Sequence, residues 1–362
     1  MKVLSKNSKE DLLIFQNKEL TVLSSIVDKF KGKLNLNKKT SKLYLNSLLD
    51  GQPWKQQYLT NKEYNGDIVG WKEGPNLPEC LSNASVVVVN NKVYFFGGYI
   101  SGESTSNIYV SSITENGELG GWSHIGSLPE TLSNFESIVI DNKIYIIGGS
   151  SLNFTYVVHI NKDGSLSEWE YGPKFPIYTS SPQIALIKNK VYVMGGLSEG
   201  GVSRKIYYST IDSFGYLGEW KEYRPLKEPL ACGQVAIIGN KLYILGGYNN
   251  INILDKIYVT TIDENGELGE WSIYGRLPKA TCESQVVVTN KTIHVLNFGI
   301  DPIAVFAEIK DDFSIGEWVN GTPLPKAMAY SQAAVVNSRI YMIGGFSWTY
   351  TCTVFSAPFK GV

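Results

Sequence analysis

The sequence predicts an all-β fold assembled from six copies of one four-stranded unit. Three observations carry this prediction: a tryptophan segment that occurs six times, a β-rich run that follows each copy, and a composition rich in strand and turn formers. The 362 residues include 22 Tyr and 35 Gly, which favour strands and tight turns over helices. Apolar residues make up 43% of the chain, which is enough for a sizeable buried core.

The tryptophan segment sets the period of the repeat. It reads ENGELGGW at residues 115–122 and ENGELGEW at residues 264–271. The six tryptophans are Trp71, Trp122, Trp169, Trp220, Trp271 and Trp318, at spacings of 51, 47, 51, 51 and 47 residues. Gly117 and Gly266 can adopt the positive φ of a tight turn. The segment is therefore predicted to be a turn that leads into a strand.

The second repeated element is a β-rich run that ends in two glycines. Its copies read KVYFFGG, KIYIIGG, KVYVMGG, KLYILGG, TIHVLNF and RIYMIGG. In the fifth copy, Asn297 and Phe298 replace the glycines and His294 replaces the tyrosine. Asn-containing tips such as NNK, DNK and KNK precede most copies and predict hairpin turns, because Asn and Asp tolerate left-handed geometry. Each unit is thus predicted to contain four short strands.

A four-stranded unit of about 50 residues, repeated around an axis, is the blade of a β-propeller. The Gly-Gly run, the third-strand tyrosine and the fourth-strand tryptophan together resemble a kelch repeat over residues 66–362. The tyrosines stand thirteen residues before a tryptophan, at Tyr109, Tyr156, Tyr207 and Tyr258. The G-x-L-G-x-W wording and the fifth unit depart from the usual kelch pattern. The resemblance implies a six-bladed propeller.

The order of the elements predicts how the ring closes. The propeller segment begins with an orphan tryptophan strand, DIVGWKEG, and ends with Gly344-Gly345 and a third strand near CTVFSAPF. The N-terminal strand is therefore expected to be the outer strand of the sixth blade, paired near residues 352–358. This closure removes an open sheet edge.

The chain is expected to divide into a basic N-terminal head, residues 1–64, and the propeller, residues 65–362. The head holds 12 Lys, no Arg and 6 acidic residues. Ser8 to Asp11 resembles a helix capping box, and Leu13, Leu20 and Val27 recur at seven-residue spacing, which favours an amphipathic helix. KELTVL also fits a strand. We expect the head to attach the propeller to other proteins, with packing beneath the propeller as the alternative.

Several classes of function are disfavoured by the sequence. The net charge of −1 gives no electrostatic basis for nucleic-acid binding. The sequence contains no run of about 18 apolar residues, so a membrane-spanning helix is not predicted. The N-terminal residues also lack the apolar core of a signal peptide. The three histidines are scattered, so neither a metal nor another cofactor is predicted. The four cysteines are widely separated and are expected to be free thiols in a reducing setting.

Candidate binding residues are predicted at the start of each innermost strand, because propeller ligands bind near the axis. Each unit has a recurrent proline, replaced by Lys227 in one unit. Polar residues predominate at the fifth and seventh positions after it. The predicted ligand-binding residues are Asn83, Ser85, Asn134, Glu136, Gln183, Gln234, Glu283, Gln285, Tyr330 and Gln332. Ser181 and Cys232 complete the twelve positions. A hydrated channel lining without a ligand is the alternative, and an acid–base pair of Glu136 and Glu283 is a further hypothesis.

Two functions are expected from these patterns. Propellers with G-x-L-G-x-W blades resemble bacterial and bacteriophage surface proteins, which implies a non-catalytic virion component: a tail, fibre or capsid-decorating subunit. Such a subunit would bind other virion proteins through residues 1–64 and a host-surface protein or glycan through the propeller. It would be assembled in the host cytoplasm, with a cytoplasmic protein as the alternative. The second function is that of a sugar enzyme, since six-bladed kelch propellers include sialic-acid mutarotases.

Overall fold

Each repeat forms four antiparallel strands, as the alternating apolar pattern predicts. The computed structural model describes residue 68 and residues 70–149, 153–289 and 291–358, and these contain strands and turns but no helix. The predicted head, residues 1–64, lies outside the described residues. No helix in the described part of the chain is long and apolar enough to span a membrane.

The strands are numbered in chain order. The first is β1 (Lys72–Glu73). Blade one contains β2 (Ser85–Val89), β3 (Lys92–Phe96), β4 (Tyr99–Ile100), β5 (Glu103–Ile113) and β6 (Leu119–Leu132). Blade two contains β7 (Phe135–Ile140), β8 (Lys143–Gly148), β9 (Thr155–His159) and β10 (Glu170–Tyr171). Blade three contains β11 (Gln183–Ile187), β12 (Lys190–Met194), β13 (Leu197–Ser198), β14 (Gly201–Val202), β15 (Ile206–Thr210) and β16 (Lys221–Tyr223).

The remaining blades complete the ring. Blade four contains β17 (Gln234–Ile238), β18 (Lys241–Leu245), β19 (Lys256–Thr261) and β20 (Ser272–Arg276). Blade five contains β21 (Gln285–Val288), β22 (Thr292–Phe298), β23 (Asp301–Ile309) and β24 (Ile315–Asn320). Blade six contains β25 (Gln332–Val336), β26 (Arg339–Ile343), β27 (Phe346–Ser347), β28 (Thr349–Tyr350) and β29 (Val354–Pro358), together with β1.

The ring is a closed six-bladed β-propeller. The innermost strands contact one another in the circular order β2, β7, β11, β17, β21, β25 and back to β2. Blade six has the strand order β1-β29-β26-β25, with Lys72 opposite Ser356 and Glu73 opposite Phe355. The predicted closure by the N-terminal strand is thus confirmed. It satisfies the edge of β29 and removes a site for aggregation.

The core is divided among the junctions between blades. Six clusters of buried apolar residues occur in the described chain, and each joins two neighbouring blades. The repeated tryptophans contribute to these clusters. Three donate indole hydrogen bonds to the preceding blade: Trp122 to the Pro75 carbonyl at 2.9 Å, Trp169 to the Ser127 carbonyl at 3.1 Å and Trp71 to the Thr322 carbonyl at 3.5 Å. Trp220 and Trp271 are buried, whereas the other four are partly exposed. The tryptophans therefore serve packing between blades.

The paired glycines permit close approach of adjacent blades. Gly97 has a φ of 56°, and a Cβ there would lie 2.6 Å from the carbonyl oxygen of Leu132, at the end of β6 where the chain enters blade two. The next residue, Gly98, donates its backbone N–H to that same oxygen at 2.8 Å. The same bond occurs at four further junctions, from Gly149, Gly196, Gly247 and Gly345. A side chain at the first glycine would force these blades apart.

The ENGELGEW segment connects neighbouring blades. Tyr192 of blade three donates its hydroxyl hydrogen bond to the Gly266 carbonyl of this turn at 2.9 Å, and Lys190 binds the Asn265 carbonyl at 2.7 Å. Equivalent tyrosine-to-turn bonds are made by Tyr94, Tyr145, Tyr243 and Tyr341. The repeated segment therefore has an architectural role: its turn is an acceptor for the blade before it.

Cys80 and Cys352 correct the expectation that the cysteines are free thiols. They form a disulfide across 272 residues of sequence, between the segment before blade one and the segment that leads into β29 of blade six. Ring closure brings the two together, which spacing along the chain could not show. Cys232 and Cys282 are free and partly buried.

Candidate functional site at the mouth of the axial cavity

A ring of left-handed residues surrounds the propeller axis just before the innermost strands. Asn83, Asn134, Ser181, Cys232 and Tyr330 have φ between 49° and 57°. Backbone hydrogen bonds of 2.8–3.0 Å link them in series, from Asn83 to Tyr330, Asn134 to Asn83, Ser181 to Asn134 and Cys232 to Ser181. These residues therefore lie on a bend that precedes each innermost strand, and not on the strand itself as the sequence pattern predicts.

The ring encloses a cavity of about 510 Å³ to which all six blades contribute. This volume falls within the range of small-ligand pockets, about 300–1,000 Å³. The lining residues are Ser82, Asn83, Ala84, Tyr99, Asn134, Phe135, Glu136, Ser180, Ser181, Pro182, Leu197, Cys232, Gly233, Gln234, Cys282, Glu283, Ser284, Gln285, Tyr330, Ser331, Gln332, Phe346 and Tyr350. Ten of the twelve positions singled out from the sequence belong to this set.

Ser85 and Gln183 are the two positions that do not line the cavity. The Ser85 hydroxyl is buried against the Ser137 hydroxyl at 2.7 Å. Gln183 is 1% exposed, and its amide donates to the Ser181 carbonyl at 3.2 Å. Both side chains are held between adjacent inner strands, so they support the lining from behind.

Some polar groups of the lining are paired with each other. The Asn83 amide donates to the Asn134 side-chain oxygen at 2.6 Å, and the Gln285 side-chain oxygen accepts the Ala333 N–H at 3.1 Å. By contrast, the Ser331 hydroxyl is 1% exposed and has no hydrogen-bond partner among the described residues. Buried polar groups normally have partners, so this group is available to a ligand or water.

Glu136 is an isolated carboxyl in the cavity wall. No ion pair or hydrogen bond to its side chain occurs among the described residues. Burial disfavours the charged form and raises the pKa of Glu136 to about 7. The carboxyl can therefore gain or lose a proton near neutral pH.

Glu283, in blade five, has different surroundings. It accepts a hydrogen bond from the Cys282 thiol at 3.6 Å, and the Tyr330 hydroxyl also bonds to it. Burial and then Glu283 raise the pKa of Tyr330, and burial raises the pKa of Cys232 to about 11. Tyr330 and Cys232 therefore stay protonated at neutral pH and serve as donors or apolar surface.

An aromatic wall, which the repeat pattern does not predict, lies at the junction of blades six and one. The rings of Tyr99 and Tyr350 are 6.3 Å apart, and those of Phe346 and Tyr350 are 5.4 Å apart. Trp348 stands at the tip of the β27–β28 hairpin, 78% exposed and with a φ of 63°. A bulky residue in the left-handed region is uncommon, and its exposure makes Trp348 a candidate binding residue. A tryptophan outside the six-copy register was the available signal.

The described lining contains two carboxylates and no Lys, Arg or His. Nothing in it provides a positive charge for an anionic ligand. Among the described residues, no group of three or more His, Cys, Asp or Glu side chains is placed to hold a metal ion. The chemistry of the cavity is therefore acidic, amide-rich and aromatic.

Comparison with protein families agrees with this architecture. A model described as the KLHDC2/KLHL20/DRC7 Kelch-repeats domain matches residues 83–299. The chain belongs to the kelch-repeat family. Membership explains the paired glycines and the interblade tyrosine and tryptophan contacts, and it indicates a binding or structural role. Kelch propellers generally mediate protein–protein interactions.

Three individual proteins are similar to this kelch chain. Kelch-like protein terF of Aspergillus terreus is 30% identical over 103 residues, which cover 26% of this chain and 22% of that protein. Kelch-like protein 31 of Danio rerio is 30% identical over 99 residues, covering 26% and 15% respectively. The solved structure of YjhT has a TM-score of 0.62 at 15% identity, covering 79% of this chain and 95% of that one. The chain thus matches less than a quarter of either curated relative, and the YjhT likeness shows the fold.

Proposed function

We propose that this kelch propeller is a non-catalytic binding module that holds a partner protein at the mouth of its axial cavity. The observation that carries the proposal is the cavity itself, in which unpaired polar groups, among them Glu136 and the Ser331 hydroxyl, lie beside an aromatic wall. Aromatic side chains and unsatisfied polar groups are the features by which an interface gains affinity and specificity. The prominent Trp348 extends this surface beyond the cavity.

Site-specific photocrosslinking tests the proposal. Replacing Gln332 with p-benzoylphenylalanine places a crosslinker at the cavity, and the same replacement of Asn240, in the hairpin turn at the opposite end of blade four, is the matched control. We expect irradiation in extract of the source cells to yield a defined adduct from position 332 only. Equal labelling from both positions, or none from position 332, would contradict binding at the cavity.

We also propose, from the G-x-L-G-x-W blades and the basic head, that the module is a virion component attached through residues 1–64. This would be a tail, fibre or capsid-decorating subunit that presents the cavity to a host-surface protein or glycan. Immunogold electron microscopy with an antibody against residues 66–362 tests it. Label on phage particles is the expected result, and bare particles with label throughout the cell interior would exclude it.

A sugar-active enzyme is the second candidate, favoured by one observation. Glu136 is a cavity carboxyl whose pKa is raised by burial to about 7, which suits a general acid or base. Because the described lining lacks a cation, a neutral sugar fits better than an anionic one. Acceleration of anomer exchange, measured by NMR with a sugar panel and abolished by Glu136→Ala, would establish this activity. Unchanged exchange rates across the panel would exclude it.

A further inference from the structure

The charge of the cavity specifies what kind of side chain it can receive. Its described titratable groups are Glu136, Glu283, Cys232, Cys282, Tyr99, Tyr330 and Tyr350, and in their charged states all of them are anionic. An acidic or phosphorylated ligand would lose its hydration in the cavity and gain no opposite charge. Burial of an unpaired charge is costly, so such ligands are disfavoured.

Within the part of the chain that the structure describes, Glu136 and Glu283 have no cationic partner, whereas another partly buried carboxylate does. Glu228 pairs with Lys256 at 2.5 Å and also accepts the Tyr258 hydroxyl at 2.8 Å. Glu283 accepts only neutral donors, from Cys282 and Tyr330, and Glu136 accepts none among the described residues. A cation that enters the cavity would supply the missing partner for both.

The positions of the two groups suit a ligand on the axis. Glu136 belongs to blade two and Glu283 to blade five, which are opposite blades of a six-bladed ring. The aromatic wall of Tyr99, Phe346 and Tyr350 lies to one side, over blades one and six. Aromatic faces attract cations and also pack against the methylene stems of long basic side chains.

We infer that the cavity receives an arginine or lysine side chain of a partner protein, with its cationic group between Glu136 and Glu283 and its stem against the aromatic wall. This inference rests on the proposed binding function and names the chemistry that the partner presents. The unpaired Ser331 hydroxyl and the amides of Gln234 and Gln332 provide further acceptors around the cationic group.

Proton linkage gives the inference a distinctive signature. With its pKa near 7, Glu136 is about one tenth ionised at pH 6 and about nine tenths ionised at pH 8. The neutral acid does not attract a cation, so affinity for a basic side chain should rise about tenfold over this interval. Burial raises the pKa values of Cys232, Cys282 and Tyr330, so these cavity groups stay neutral across this interval.

Saturation-transfer NMR on the full chain tests the inference with four small probes. These are the N-acetyl methylamides of arginine, lysine, norleucine and glutamate, titrated to about 10 mM at pH 6 and pH 8. We expect signals from the arginine and lysine probes only, with about tenfold weaker binding at pH 6. Equal binding of norleucine, or no binding of either cation at pH 8, would overturn the inference.

Variants assign the signal to the cavity. Glu136→Gln should remove the pH dependence, and adding Glu283→Gln should abolish cation binding. Glu115→Gln, which makes the same change in an exposed turn outside the cavity, should leave both unchanged, and melting curves verify folding of all three. If position 332 still crosslinks a partner but no cation preference appears, the binding function stands and this inference fails. If both experiments are negative, both proposals fail.

Discussion

Blade five and the other five blades meet their neighbours differently. At five junctions a second-strand tyrosine bonds to a turn of the next blade, and a glycine N–H bonds to the backbone of the segment that enters the next blade. Blade five has His294 in the tyrosine position, within 3.1 Å of the Thr292 hydroxyl. Its Asn297 side-chain oxygen accepts the Met328 N–H at 2.8 Å in place of a glycine contact. The ring of backbone bonds also omits Glu283, among the described residues.

This difference is explained by where the two ends of the propeller sequence meet, which is in blade six. The turn that a tyrosine at position 294 would reach lies between the third and fourth strands of blade six, which are β29 and β1. These strands come from opposite ends of the propeller sequence, so no direct turn joins them. The repeat diverges in blade five, which faces the meeting point of the two ends of the propeller sequence, and Cys282 and Glu283 of the same blade line the cavity. The irregular blade therefore lies next to the ring closure and also contributes residues to the candidate site.

Among these changes, glycine substitution should produce the largest difference in unfolding free energy between blade five and the other blades. Gly97→Ala would place a Cβ 2.6 Å from the Leu132 carbonyl oxygen, and we expect a loss of about 3–5 kcal/mol from overlap and left-handed strain. Gly299→Ala in blade five has nearly the same φ, 63° against 56°, but meets only Glu283 at 4.0 Å. It should cost about 1–2 kcal/mol in denaturant unfolding. Equal costs would refute close approach as the role of the paired glycines.

Replacing a repeated tryptophan with alanine measures how much its packing stabilises the junction between two blades. Trp271 is 4% exposed between blades three and four, so Trp271→Ala should lower the free energy of unfolding by about 3–5 kcal/mol. Trp71, between blades five and six, is partly exposed and makes only a 3.5 Å contact with the Thr322 carbonyl. Trp71→Ala should cost about 1–3 kcal/mol. A thermal melt unchanged by Trp271→Ala would contradict its structural role.

Removal of the disulfide tests how much the Cys80–Cys352 bond stabilises the closure of the ring. Cys352→Ser frees the two ends that the Cys80–Cys352 bond holds together, and we expect a loss of about 2–4 kcal/mol under oxidising conditions. Reductant should lower the melting temperature of the native chain to that of the variant. It should leave the variant itself unaffected. If reductant leaves the melting temperature of the native chain unchanged, the disulfide adds no stability.

Loss of one hydroxyl should give the smallest effect. Tyr192→Phe removes the 2.9 Å bond to the Gly266 carbonyl and should cost about 1–3 kcal/mol, since it leaves a buried acceptor unpaired. Tyr178→Phe is the control, because its hydroxyl has no hydrogen bond within the described residues. Both are measured by urea unfolding. A neutral Tyr192→Phe would mean that the turn is held by packing alone.

Many of the residues that line the cavity can be predicted from the sequence. Glu136, Glu283 and Tyr330 were predicted to face the axis because they stand at fixed offsets from a recurrent marker, and register in a repeat transfers to position in a ring. Tyr99 and Tyr350 were not predicted, since they lie in loops of irregular length outside that register. Whether a cavity residue has a hydrogen-bond partner among the described residues, as Gln285 does and Ser331 does not, depends on distances between blades.

The sequence by itself determined the number of blades, the strands within them and the pairing of the N-terminal strand with the last blade. These features follow from local periodicity and from the order of elements along the chain, which one sequence displays in full. Only the tertiary structure decided that Cys80 meets Cys352, that the ENGELGEW turn accepts a tyrosine from the blade before it, and that two carboxylates share a cavity without a cation. Each of these depends on which residues the closed ring brings together, and sequence separation carries no record of that.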